Sequence, residues 1–184
     1  MVGEATGSSP NRLDLFTTRP EAFERGRFVM AEVAAAVEAT LQVRQDAPGF
    51  RRVVLECGDE AVVVDTVLDR VPQVVADKPE VEGVRVDPLR EILANELCAV
   101  VGRAEERDLV DLWALERSGL RIEDALPDAL AKDGGCTPAT LAWLLDQVVI
   151  PEGASLPGDT SAPELREWLH ALVRRVRQVA HPGG

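Results

Sequence analysis

The sequence predicts an α+β protein, with a small mixed β-sheet part followed by an α-helical bundle. Two β-branched runs flank Gly58-Asp59, a tight-turn pair, and together read as a hairpin. From Asp87-Pro88 onward, apolar residues recur at spacings of three and four, the period of amphipathic helices. The strands come first and the helices after, an order that fits segregated layers and not alternating parallel βαβ units. The 184 residues therefore divide, in expectation, into a partial α/β subdomain over 1–86 and a helical subdomain over 87–184.

Residues 1–11 are small and polar and are expected to be poorly ordered. Leu13-Asp14-Leu15-Phe16 is a short apolar run with one acid embedded, a brief strand. Pro20 can open a helix because its missing N–H would be unpaired in a first turn anyway. Phe23, Arg27, Met30, Val33, Val37 and Leu41 carry that helix to about Arg44, and Pro48-Gly49 ends it. The hairpin strands are Arg52 to Cys57 and Ala61 to Val67. The second is almost continuous valine, so it belongs inside a sheet, and Asp65 is its anomaly.

Val71 to Gly83 is an extended connector, and Val84-Arg85-Val86 is a short strand. Asp87 as N-cap with Pro88 at the first helical position then starts a helix over Leu89 to about Val101. Further helices follow over Glu106 to Arg117, Ile122 to about Lys132, Pro138 to about Val148 and Glu164 to about Val179. Ser118-Gly119, Asp133-Gly134-Gly135 and a Gly-, Pro- and Ser-rich loop from Pro151 to Pro163 separate them.

Composition narrows the function classes. Thirty-two acids against 20 bases give a net charge of −12, which excludes a broad electrostatic grip on nucleic acid or an anionic membrane; a local basic patch remains open. No apolar run reaches the roughly 20 residues that span a bilayer. MVGEATGSSP lacks the basic and apolar regions of a secretory leader. Cys57, Cys98 and Cys136 are odd in number and have no CxxC spacing, so they read as reduced thiols and not as metal ligands or a disulfide. These features place the protein in the cytoplasm.

Two acids stand out because strands bury their neighbours. Asp14 lies between Leu13 and Leu15, and Asp65 follows three valines. A carboxylate in an apolar strand is costly unless a cation, a metal or hydrogen bonds compensate. One reading puts both at strand ends, facing water or a backbone donor. The other brings them together on one divalent cation, since Mg²⁺ is held by one or two carboxylates plus waters and phosphates. A second constellation runs from Arg103 through Arg107-Asp108 to Asp111-Leu112. As structure, it is a solvated face with Arg107 and Asp111 paired four residues apart. As function, an arginine oriented by an acid presents a guanidinium fork to a phosphate.

Leu13-Asp14-Leu15-Phe16-Thr17, the valine strand ending in Asp65, and above all Ile92-Leu93-Ala94-Asn95-Glu96-Leu97-Cys98-Ala99 with Arg103, Arg107-Asp108-Leu109-Val110-Asp111-Leu112 resemble the AbiEii toxin-type nucleotidyltransferases over about residues 12–117. The resemblance implies a nucleotidyltransferase-like α/β part and Mg²⁺-dependent transfer of a nucleoside monophosphate from an NTP to an acceptor such as tRNA. It also implies a cognate antitoxin protein as partner. In the family, a D-x-D pair and a third aspartate hold the metal. Asp14 matches the second member of the pair and Asp65 the third carboxylate, while Arg103, Arg107, Asp108 and Asp111 are retained near the nucleotide.

The departures imply an alternative. Arg12 stands where the first acid of D-x-D belongs, and Glu96 stands where a lysine is usual. About a dozen residues precede Asp14, too few for the strand and helix that carry the family's phosphate-binding glycine turn; Gly7-Ser8 is too close to Asp14 to replace it, and a longer frame upstream of Met1 would supply it. On this alternative, the chain is a catalytically impaired remnant or a protein-binding module retaining the fold. His170 and His181 are isolated and read as surface residues. Trp113, Trp143 and Trp168 read as core packing, and Arg174, Arg175 and Arg177 as complements to a helix C-terminus.

Overall fold

The computed structural model describes residues 11–157, 160–181 and 183. Apart from Asn11, the expectation for the N-terminal tail lies outside the described residues. The fold is mixed α+β, and the chain forms two compact units, one ending at Arg70 and the other beginning at Val71.

In the first unit, β1 (Asn11–Thr17), α1 (Pro20–Ala36), β2 (Thr40–Ala47), β3 (Phe50–Cys57) and β4 (Glu60–Leu68) build a four-stranded sheet in the order β1-β4-β3-β2. β1 runs parallel to β4, and the other pairs are antiparallel. The valine-rich β4 is thus an interior strand, as its composition predicts. Gly58-Asp59 closes the β3–β4 hairpin, with Gly58 at φ +59° and Cys57 opposite Glu60. α1 covers one face of the sheet. On that face Val53 and Val64 are buried, and the buried Arg51 guanidinium lies 4.9 Å from the Phe23 ring centroid.

The helix expected to reach Arg44 stops at Ala36. Ala39 N donates to Ala34 O at 2.8 Å and Glu38 N to Ala35 O at 3.3 Å, with Glu38 at φ +53°, the paired bonds and left-handed residue of a Schellman stop. Beyond it, Thr40 to Ala47 pairs with β3. Leu41 fits the helical spacing by coincidence, because Leu41 and Val43 also alternate as a strand requires. Pro48-Gly49 is consequently a hairpin turn, with Gly49 at φ +85°.

In the second unit, β5 (Glu80–Val81) and β6 (Val84–Arg85) form a small hairpin through Glu82 and Gly83, both at positive φ. Five helices follow: α2 (Leu89–Gly102), α3 (Glu106–Arg117), α4 (Ile122–Lys132), α5 (Pro138–Gln147) and α6 (Ala162–Ala180). Their apolar stripes meet in one core that includes Leu93, Leu97, Leu109, Leu141, Leu165 and Leu172, each at most 2% exposed. Burying each such side chain contributes about 1.5–3 kcal/mol.

Asp87 does not cap α2. It pairs with Lys78, and Pro88 O takes the first-turn N–H groups of Glu91 and Ile92 instead. The connector is fixed from below by a buried ion pair. Glu91 Oε1 lies 2.5 Å from Lys132 Nζ, Glu91 Oε2 accepts from Val74 N and Val75 N at 2.8 Å, and Lys132 also donates to Pro72 O. Burial pushes the Glu91 carboxyl up, but the Lys132 bond and the two backbone donors outweigh it and hold it below the usual range. Replacing Lys132 with Met leaves that carboxylate buried without its cation. The variant is expected to lose about 3–5 kcal/mol in urea unfolding, and a loss below about 1 kcal/mol would show that the pair does not anchor the connector.

Candidate functional site

Parallel pairing of β1 with β4 places Asp14 directly opposite Asp65, and antiparallel pairing of β3 with β4 places Arg52 opposite Asp65 on the other side. Arg12 lies two residues before Asp14. Side chains alternate along a strand, so all four project from the face of the sheet opposite α1. The two aspartates therefore come together, as the metal reading requires.

What they meet is a pair of guanidinium groups. Arg52 Nε donates to Asp65 Oδ1 and Arg52 Nη2 to Asp65 Oδ2, both at 2.7 Å, the bidentate fork geometry. Arg12 Nη2 donates to Asp65 Oδ2 at 2.8 Å, and Arg12 Nε donates to Asp14 Oδ1 at 3.0 Å. The Asp65 side chain is 1% exposed, whereas those of Arg12 and Arg52 are 39% and 38% exposed. The arginines thus form a lid of charge over a buried carboxylate. The Arg52 hydrogen bonds, with help from Arg12, hold the Asp65 carboxyl below its ordinary range against the opposing effect of burial. Arg52 also lies 5.5 Å from the Phe50 ring centroid.

This arrangement does not fit a divalent cation. Both Asp65 oxygens already accept from guanidiniums, and two positive charges stand where a metal would have to bind. No group of three or more His, Cys, Asp or Glu side chains among the described residues could hold a metal ion. Sequence reasoning noted Arg12 but missed Arg52.

The second candidate cluster lies at the junction of α2 and α3. Asp108 is fully buried and completes a capping box with Glu105, its Oδ2 accepting from Glu105 N at 2.9 Å. Arg103 donates to Asp108 Oδ1 through Nη2 at 2.6 Å, and Arg107 Nε lies 3.0 Å from Glu105 Oε2. Each arginine is therefore oriented by an acid while its side chain remains more than 40% exposed. An open groove of about 690 Å³ beside α3 is lined by Glu105, Arg107, Leu144, Val148, Val149 and Pro157, among others.

Glu96 faces this cluster from α2. Burial pushes its carboxyl up to about 7, and Asp111 and Asp108 push in the same direction against Arg103 and Arg107. Its Oε2 is buried without a hydrogen-bond partner among the described residues. Asp111 is raised too, by desolvation first and then by Asp108.

Among the remaining candidates, His170 and His181 are exposed. Trp113 stacks on Arg117, with 4.7 Å to the centroid, and Trp168 Nε1 donates to Glu116 at 2.6 Å. Trp143 departs from its core expectation at 64% exposure, because it sits on the outer face of α5 while Leu141, Ala142 and Leu145 take the inner one. Arg175 is matched by Glu116 and Glu123, and Arg177 by Asp146. The three cysteines are free thiols, Cys57 exposed, Cys98 partly buried with its Sγ donating to Ala129 O at 3.5 Å, and Cys136 buried in the core. No helix of the described residues is long and apolar enough to cross a membrane.

The family model described as "Nucleotidyl transferase AbiEii toxin, Type IV TA system" matches residues 9–177, nearly the whole chain. Comparisons with curated proteins and with solved structures gave no match.

Glu96 binds its proton more tightly folded than unfolded, so its ionisation weakens the fold as pH rises from about 4.5 toward 7, and the cost is complete above that. Glu96→Gln is therefore expected to unfold like the parent near pH 4.5 and to be more stable at pH 8. After allowance for solvent screening, the gain is about 1–2 kcal/mol. Equal stability of the two proteins at pH 8 in urea titrations would contradict the raised carboxyl.

Proposed function

The chain belongs to the AbiEii nucleotidyl transferase toxin family, and from that premise we propose that it is a toxin–antitoxin protein that keeps the nucleotidyltransferase fold with its metal site closed by its own arginines. The observation that carries this reading is the Asp65 carboxylate, which takes three N–H bonds from Arg52 and Arg12. Magnesium requires oxygen ligands at 2.0–2.1 Å in near-octahedral geometry. Asp65 can offer it an oxygen only by giving up charge-assisted bonds, and the Arg12 and Arg52 charges repel the ion. Arg12 removes the first acid of the D-x-D pair and supplies a cation in the same substitution.

On this reading, the chain works by binding. Its partners are a cognate antitoxin protein and an NTP, in the cytoplasm. Arg103 and Arg107 face the nucleotide phosphates, with Asp108 holding the Arg103 fork in place and Asp111 beside it. The second reading is Mg²⁺-dependent transfer of a nucleoside monophosphate from NTP to an acceptor such as tRNA, with Asp14 and Asp65 as catalytic and metal-binding residues. The direct register of Asp14 against Asp65 on adjacent strands favours it.

Labelled NTPs, Mg²⁺ and total tRNA incubated with the folded protein separate the two. No transfer above the blank is expected from any NTP, and transfer abolished by Asp65→Ala would overturn the proposal. A thermal-unfolding titration with Mg²⁺ provides the second readout. The parent is expected not to shift, whereas Arg12→Asp, which restores the carboxylate pair, is expected to gain about 1.4 kcal/mol at a tenfold excess of ion over its Kd.

A further inference from the structure

We propose that the outer face of α1 is an interaction surface for a second copy of this chain, the two helices crossing antiparallel about a two-fold axis that passes between Phe28 and Val29. From Phe28 to Val37 every residue of the sequence but Glu32 is apolar. A helix lying on a sheet needs only one apolar stripe, and a helix apolar on its far side as well calls for a second covering. α1 meets the first need with Phe23 and Ala34, which are buried, and Met30, which is half-buried. The remainder faces outward. Phe28 is 65% exposed, and Val29, Val33, Ala36 and Val37 are exposed with it. Apolar residues scattered singly over a surface are ordinary, but a contiguous patch of them marks an interaction site.

The charges on this face select the occupant. At 3.6 residues per turn, Arg25, Phe28, Glu32 and Ala36 fall in one row on the side of α1 turned away from the sheet, with Val29 beside Phe28. Arg25 lies three residues before Phe28, and Glu32 three residues after Val29, so the row is symmetric in position and opposite in charge about its centre. Neither Arg25 nor Glu32 has an ion-pair partner among the described residues, whereas the neighbouring Arg27 pairs with Glu24.

An antiparallel crossing at that centre sets Phe28 of each copy against Val29 of the other, and Arg25 of each against Glu32 of the other. The row is thus complementary to itself, as a two-fold interface requires. A parallel crossing would oppose Arg25 to Arg25 and Glu32 to Glu32, so the charges specify the direction as well as the partner. Ala36, with its small side chain, leaves room at the ends of the crossing. The net charge of −12 opposes association of two copies, and the contact is confined to one helix face, so the dimer is a reversible one.

The test is sedimentation velocity on the full chain from micromolar to millimolar concentration, where a reversible monomer–dimer equilibrium is expected. Phe28→Asp changes an exposed side chain and is expected to keep the parent's circular dichroism while raising the dimer Kd about tenfold or more. Arg25→Glu and Glu32→Arg each bring like charges face to face, and each alone is expected to weaken the dimer by a similar factor, about tenfold or more. Mixed one to one, these two variants present opposite charges at both contacts, and native mass spectrometry is expected to show the heterodimer in excess of either homodimer. The double variant Arg25→Glu/Glu32→Arg restores both pairs and is expected to dimerise like the parent. A parent that stays monomeric at millimolar concentration would overturn the proposal. So would a Phe28→Asp protein that dimerises as the parent does, which would put the interface elsewhere, or charge variants that show no preference for each other.

Discussion

A single buried carboxylate organises the first unit. Asp65 occupies the middle of an interior strand, where an uncompensated charge is costly, and two arginines from the flanking strands take up both of its oxygens. Arg52 binds it as a fork and Arg12 bridges it to Asp14, so three strands of the sheet are tied through side chains as well as through the backbone ladder. Removing one partner of such a cluster costs several kcal/mol, because the charge left behind remains desolvated. Structure and chemistry therefore compete at this site. The interactions that make Asp65 tolerable in the sheet are the ones that withhold it from a metal.

The helical unit shows the same economy in a second place. Asp108 caps α3 together with Glu105 and holds Arg103. The arginine–acid spacing of this run thus has a structural use in the helical unit. Glu96 is the exception, since it adds a third carboxylate beside Asp108 and Asp111 and is left holding its proton near neutral pH. A lysine at that position would neutralise the cluster.

Much of this was legible in the sequence. The interior valine strand, the Gly58-Asp59 hairpin and all five helices of the second unit follow from period and turn chemistry. The Asp65 clamp was partly legible. A two-residue turn at Gly58-Asp59 pairs Cys57 with Glu60 and, counting back, Arg52 with Asp65, so register alone points to the missed arginine. Other features were not readable. A glutamate in the left-handed region ends α1, a position that usually signals itself with glycine, so the helical spacing runs on into β2 with no visible stop. Asp87 had a competing partner in Lys78, remote from any local capping rule.

Guanidinium groups, and not a metal ion, satisfy Asp65. The most direct measurement is a crystal structure of the protein grown with Mn²⁺ and an NTP, with anomalous scattering used to locate the ion. Arg52 and Arg12 are expected within hydrogen-bonding distance of the Asp65 oxygens, with no manganese between the two strands. Manganese bridging Asp14 and Asp65, with the Arg12 side chain displaced, would contradict it.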